Sequence, residues 1–130
     1  CPVVICHKSR EKANVVASIT AIGEVAGKNI VIVDDMVDTA GTLAKAANVL
    51  KDMGALSVRA CATHAVFSGP AYEKIANSAL EEVIVSDTIP LDADPAKDKT
   101  KITVLTMTKM FADIIRKVYN YEEISSSFIN

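Results

Sequence analysis

Short β-branched runs and one long helical repeat trade places along this chain. Val3 to Cys6 reads Val-Val-Ile-Cys and predicts a buried strand. The polar stretch His7-Lys8-Ser9-Arg10-Glu11-Lys12-Ala13-Asn14 predicts a loop, and Val15 to Ile22 a second strand, with the chain turning between Gly23 and Gly27. Ile30 to Val33 is the clearest strand, bounded by Lys28-Asn29 before it and acids after it. Thr39 to Met53 is the clearest helix: Leu43, Ala46, Ala47, Leu50 and Met53 recur at helical spacing, and Gly54 follows as a stop. Ser57 to Thr63 predicts the next strand. Gly69-Pro70 opens a helix of about two turns, since proline suits a first helical turn. Leu80 to Val85 predicts another strand, and Asp92 to Lys101, charged and holding Pro95, a surface loop. Ile102 to Leu105 predicts a short strand. Thr108 to Tyr119 predicts a helix with Met110, Phe111, Ile114, Ile115 and Val118 turned inward and Met107 in the same core; a short Ser-rich tail runs from Glu122 to Asn130.

Strands and helices alternate, which implies right-handed crossovers and an α/β fold with a mostly parallel sheet flanked by helices. A length of 130 residues fits a single domain over residues 1–130. Composition sharpens this picture: half the residues are hydrophobic, Trp is absent and aromatics are few, so Val, Ile, Leu, Ala and Met must build the core. A net charge of −2 with both signs interspersed gives no basic footprint for nucleic acid, and no apolar run is long enough for a membrane span. Cys1, Cys6 and Cys61 have no metal-ligand spacing and are expected as buried, reduced thiols of a cytoplasmic protein, without a zinc site. The opening Cys1-Pro2, with a strand starting almost at once, suggests a fragment of a longer protein whose remainder lies upstream.

The chemistry concentrates in Val31-Ile32-Val33-Asp34-Asp35-Met36-Val37-Asp38-Thr39-Ala40-Gly41-Thr42. An apolar strand ends in two acids, a third acid follows, and a turn of small residues opens a helix. That is the C-terminal edge of a parallel sheet, where open α/β folds bind ligands. Residues Thr39 to Thr42 offer backbone N–H groups at a helix start, Gly41 permits close approach, and the two threonine hydroxyls add donors. Asp34 and Asp35 are acceptors suited either to a pair of hydroxyls or to a hydrated divalent metal, and Asp38 serves the turn or caps the helix. Phosphate at one end and a diol at the other describe a sugar phosphate. The Walker spacing Gly-x-x-x-x-Gly-Lys is missing.

The segment resembles the phosphoribosyl-diphosphate motif of the type I phosphoribosyltransferase fold. Its flanks are similar to those of the ribose-phosphate pyrophosphokinases: His7-Lys8-Ser9-Arg10 with Asn14 resembles their catalytic loop, Thr63-His64 with Ser68-Gly69-Pro70-Ala71 their later strand–loop–helix, and Ile124-Ser125 to Phe128 their C-terminal strand. The resemblance covers nearly the whole chain and identifies it with the C-terminal half of such an enzyme. It implies transfer of pyrophosphate from ATP to the anomeric hydroxyl of ribose 5-phosphate, with Mg2+ required. It also implies that Lys8 and Arg10 are catalytic, that Arg10 contacts the sugar phosphate, that Asp34 and Asp35 hold the ribose, and that Asp38, Thr39, Ala40, Gly41 and Thr42 form the 5-phosphate loop. No metal ligand is expected within this half. The implied partners are ribose 5-phosphate, ATP, the N-terminal domain of the same enzyme and further copies of it, a hexamer in the family.

Two departures stand out. Ser9 occupies a position where many relatives carry another charged residue, which softens the loop's charge but spares the Lys8–Arg10 pair; Glu123 sits where some relatives carry serine, with Ser125 retained, so phosphate or ADP regulation is in question. His7 is expected as a surface residue and His64 as a helper in packing or loop shape. The rival readings are a phosphoribosyltransferase acting on a nucleobase, for which no base-binding hood is found, and a non-catalytic synthetase-associated subunit, against which intact Lys8 and Arg10 argue.

Overall fold

In the computed structural model of the protein, residues 2–9 and 18–127 are described. Four parallel strands form the sheet: β3 (Asn29–Val37), β4 (Ser57–Ala65), β5 (Glu82–Ser86) and β6 (Ile102–Leu105), in the order β3-β4-β5-β6. Each is the spatial neighbour of the next in sequence. Right-handed crossovers that all step the same way put their helices on one face. Helix α1 (Gly41–Asp52) joins β3 to β4, and α2 (Ala71–Ala76) joins β4 to β5; α1 packs on β4 and on α2. Beneath them lies the core, with Leu43, Ala47, Leu50, Val58, Ala60, Ile75, Val83 and Val85 all buried. The opposite face is open: Val31 and Val33 are 61% and 76% exposed, and Arg59 reaches Glu81 and Glu82 at 3.5 and 3.7 Å.

The alternation of strands and helices in the sequence thus yields the expected parallel sheet, with local differences. The stretch His7–Ser9, expected as loop, continues strand β1 (Ile5–Ser9), which pairs antiparallel with β2 (Ser18–Ile22) as a separate ribbon. Ala21 of the ribbon packs on the core and β2 lies against α1, while the His7 side chain is exposed, so polar composition there does not oppose a strand. Strand β3 runs past the acids to Val37, because β4 offers partners for Asp34, Met36 and Val37 at Ala62, His64 and Ala65. Helix α1 starts at Gly41, two residues later than its pattern suggested, and Met53, expected on its apolar face, is exposed beyond its end.

Helix α3 (Thr108–Tyr119) has the expected bounds, but its apolar stripe is not inward: Phe111, Ile115 and Val118 are at least half exposed, and none of its residues is buried. Its amphipathic pattern is real. The open sheet face and this helix lack a mutual packing partner among the described residues. Met107 and Met110 are only partly buried. In place of a C-terminal strand, Ser125–Ser127 form a 3-10 turn, and Phe128 lies outside the described residues. Cys6 is exposed and Cys61 half-buried, so neither thiol sits in the core as expected; Cys1 lies outside the described residues.

Candidate functional site

The tip of β3 and the first turn of α1 meet at the C-terminal edge of the sheet. Ala40 makes the junction: its backbone is left-handed (φ 55°, ψ 6°) and its methyl is buried. The first α-helical bond runs from the Ala44 amide to the Ala40 carbonyl at 2.9 Å, so the amides of residues 41–43 begin the helix. No side chain caps this end from the N-cap position, and the first turn carries no acid. A helix start concentrates partial positive charge and donor groups, which suits an anion. The helix cap considered for Asp38 is absent, since Ala40 holds the cap position.

The acids divide their work. Asp34 Oδ1 accepts the Asp35 amide at 3.0 Å, and Asp35 Oδ1 accepts the Met36 amide at 2.7 Å, so each carboxylate is steered by the next peptide and presents its second oxygen. Strand alternation sends them to opposite faces. Asp34, with Met36, Asp38, Thr39, Ala40, Gly41 and Thr42, lines a cleft of about 310 Å³, and Asp35 is not part of that lining. Asp38 Oδ1 accepts the Ser68 hydroxyl from the loop between β4 and α2.

A second cleft of about 420 Å³ lies on the other flank of the turn, lined by Ile19, Thr39, Gly41, Lys45, Asn48 and Lys74 among others. Its charged side chains are both lysines. A Cβ on Gly41 would lie 3.4 Å from the Lys74 ammonium, so α2 brings a cation up to the start of α1. Ile19 of β2 pairs with Lys8 of β1, which sets the Lys8 backbone beside this flank. Arg10 and Asn14 lie outside the described residues. His64, at the end of β4, shares Nδ1 with the Thr88 hydroxyl at 2.9 Å and helps to lash β4 to the loop after β5. Among the described residues no three His, Cys, Asp or Glu side chains converge as a metal site.

The structure therefore brings together Asp34, Asp38, Thr39, Ala40, Gly41 and Thr42, which are contiguous in sequence. Lys74 and Ser68 were not anticipated as parts of the site. Ser68 is visible in sequence only as the residue before Gly69-Pro70, and nothing local marks Lys74 as facing Gly41.

The parallel sheet flanked by helices, with its candidate site where β3 meets α1 at the C-terminal edge, defines an α/β protein, and the structural match reported below makes it one of the type I phosphoribosyltransferase fold. Over residues 4–129 the chain matches the phosphoribosyl synthetase-associated domain, and it belongs to that family. It is 54% identical over 126 residues to a ribose-phosphate pyrophosphokinase of Wolinella succinogenes, which covers 97% of this chain and 40% of the relative. The corresponding protein of Campylobacter jejuni is 50% identical over 127 residues, covering 98% and 40%. Among solved structures, phosphoribosylpyrophosphate synthetase from Mycobacterium smegmatis superposes with a TM-score of 0.81 at 38% identity, over 92% of this chain and 37% of that one. The chain thus spans about two fifths of the length of these relatives.

Proposed function

We propose that this chain is the C-terminal, ribose-5-phosphate-binding part of a ribose-phosphate diphosphokinase. The observation that carries the reading is that the first turn of α1, entered through the Ala40 methyl rather than a capping side chain, lines the same cleft as the Asp34 carboxylate. Amides of residues 39–42 take the 5-phosphate, and Asp34 accepts the ribose hydroxyls from the other end of the cleft, with Asp35 supporting it from the opposite side of the strand. A sugar phosphate spans those two chemistries; a bare phosphate leaves Asp34 unused, and a carboxylate beside an anion needs such a reason to be there.

In the reaction, the anomeric oxygen of ribose 5-phosphate forms a bond to the β-phosphorus of ATP. The bond from that phosphorus to the α–β bridging oxygen breaks, AMP leaves with that oxygen, and the hydroxyl proton passes to solvent. Such a transfer depends on alignment and on neutralising charge rather than on a covalent intermediate. The chain's contribution is to anchor the sugar at both ends, so that its anomeric carbon has one orientation. Lys8 and Arg10, at and beyond the end of β1, supply positive charge to the transferring group, and Arg10 also reaches the sugar phosphate. ATP binding falls to an N-terminal domain of the same enzyme, in a cytoplasmic homo-oligomer.

The carboxylates that share the cleft are Asp34 and Asp38, and Asp38 already accepts the Ser68 hydroxyl, so the residues present fit Mg2+ only as a partial site. Such an ion keeps several waters and is held by one or two acids together with substrate phosphates. Bound with ATP, it would neutralise charge on the polyphosphate.

The test is ATP-dependent formation of AMP and phosphoribosyl diphosphate by the full-length protein. Lys8→Ala is expected to lower kcat by orders of magnitude with the far-ultraviolet circular dichroism unchanged. Wild-type protein that makes no AMP, or a Lys8→Ala protein with undiminished turnover, contradicts the reading.

A further inference from the structure

Two loops meet at the phosphate turn, and both hold unfavourable backbone. Ala40 (φ 55°) lies in the turn between β3 and α1, and Phe67 (φ 43°) in the loop between β4 and α2; these are non-glycine residues in left-handed conformation. Strain of this kind persists only where the surroundings impose it, and it gathers at functional sites. Here the surroundings are visible. The Ala40 methyl is buried, Phe67 is buried with its ring edge-on to Tyr72 at 5.3 Å, and three hydrogen bonds join the loops. The Phe67 amide donates to the Val37 carbonyl at 3.0 Å, the Ser68 amide donates to the Asp38 carbonyl at 3.1 Å, and the Ser68 hydroxyl donates to Asp38 Oδ1.

The third bond matters for chemistry. Asp38 lies immediately ahead of the turn, and aspartate is among the preferred side chains for capping a helix. A carboxylate that swung onto the first amides of α1 would occupy the donors that a phosphate needs and would repel its charge. The N-cap position itself is held by Ala40, whose methyl accepts nothing. An aspartate is an acceptor only, so a fixed hydroxyl donor beside it is a sufficient alternative partner. We propose that Ser68 is a positioning residue: its hydroxyl holds the Asp38 carboxylate off the start of α1 and leaves those amides to the sugar phosphate. This rests on the reading of the turn as the 5-phosphate site.

Ser68 is exposed, so removing its hydroxyl opens no cavity in the core. In the full-length protein, isothermal titration with ribose 5-phosphate should show Ser68→Ala weakening binding by about tenfold or more, the scale of one hydrogen bond to a charged group. KM for ATP should stay unchanged, and Ser68→Thr should restore most of the affinity. The decisive arm is the Asp38→Ala background: there Ser68→Ala should have no further effect, because no carboxylate remains to be held. Wild-type affinity in Ser68→Ala overturns the proposal, as does an equal loss with and without Asp38. Failure of wild-type protein to bind ribose 5-phosphate would instead remove the site itself, and the brace with it.

Discussion

Ala40 carries more of this site than its size suggests. Its left-handed backbone sets the angle between strand and helix, and its methyl is buried to 4% exposure. Glycine there would relax the backbone, whereas a β-branched residue would meet both a forbidden region and a filled core. Ala40→Val should lower unfolding free energy by about 1–3 kcal/mol in urea titration and weaken ribose-5-phosphate binding, while Ala40→Gly should retain binding. The acids also separate at this scale. Asp34→Asn should weaken ribose 5-phosphate more than Asp35→Asn, since only Asp34 lines the cleft, and the double variant should leave ATP affinity nearly intact. Equal losses of both ligands by titration would contradict the assignment. These residues were legible because Asp34 to Thr42 are consecutive and their types declare donors and acceptors. Ser68 and Lys74 were not, because they reach the turn only through the β4–α2 crossover.

Among the elements, α1 decides whether the turn is held. Leu50 is fully buried between the helix and the sheet, so Leu50→Ala should destabilise the protein by roughly 2–5 kcal/mol in denaturant melts. Helices α1 and α3 were legible from periodicity alone. Strand β1 was legible only at its start, Ile5 and Cys6: the polar residues His7–Ser9 acquire strand geometry from cross-strand pairing with β2, which local composition does not show. At the far end of the sheet, Asp87 Oδ1 accepts the Met107 amide at 2.8 Å and ties the end of β5 to the start of α3. The Thr106 hydroxyl, and then that amide, hold its carboxyl below the usual carboxylate range. A depressed carboxyl contributes stability that is complete above its unfolded value and lost as pH falls through its folded value. The protection factor of the Met107 amide should therefore be unchanged from pH 7 to pH 5 and fall below the ordinary carboxylate range. Asp87→Asn should remove that acid-side fall, as read by hydrogen exchange.

The whole molecule is a one-sided sheet. Helices cover the face of Val58 and Val83, while Val31 and Val33 on the other face, and Phe111, Ile115 and Val118 on α3, stand in solvent. Periodicity marked α3 as amphipathic but could not say what faces it, since a partner distant in sequence leaves no local trace. Large exposed apolar patches often mark contact with other protein. Produced alone, the chain should self-associate in size-exclusion light scattering, and Val33→Lys with Ile115→Lys should reduce that association; a monomer that both variants leave unchanged would show these faces to be inert.

The most direct measurement is a crystal structure of the full-length protein with ribose 5-phosphate. Phosphate oxygens should lie within about 3.2 Å of amides from residues 39–42, with ribose hydroxyls on Asp34 and the Asp38 carboxylate on Ser68. A phosphate bound elsewhere, or a turn closed by Asp38 with the sugar absent, would contradict the account.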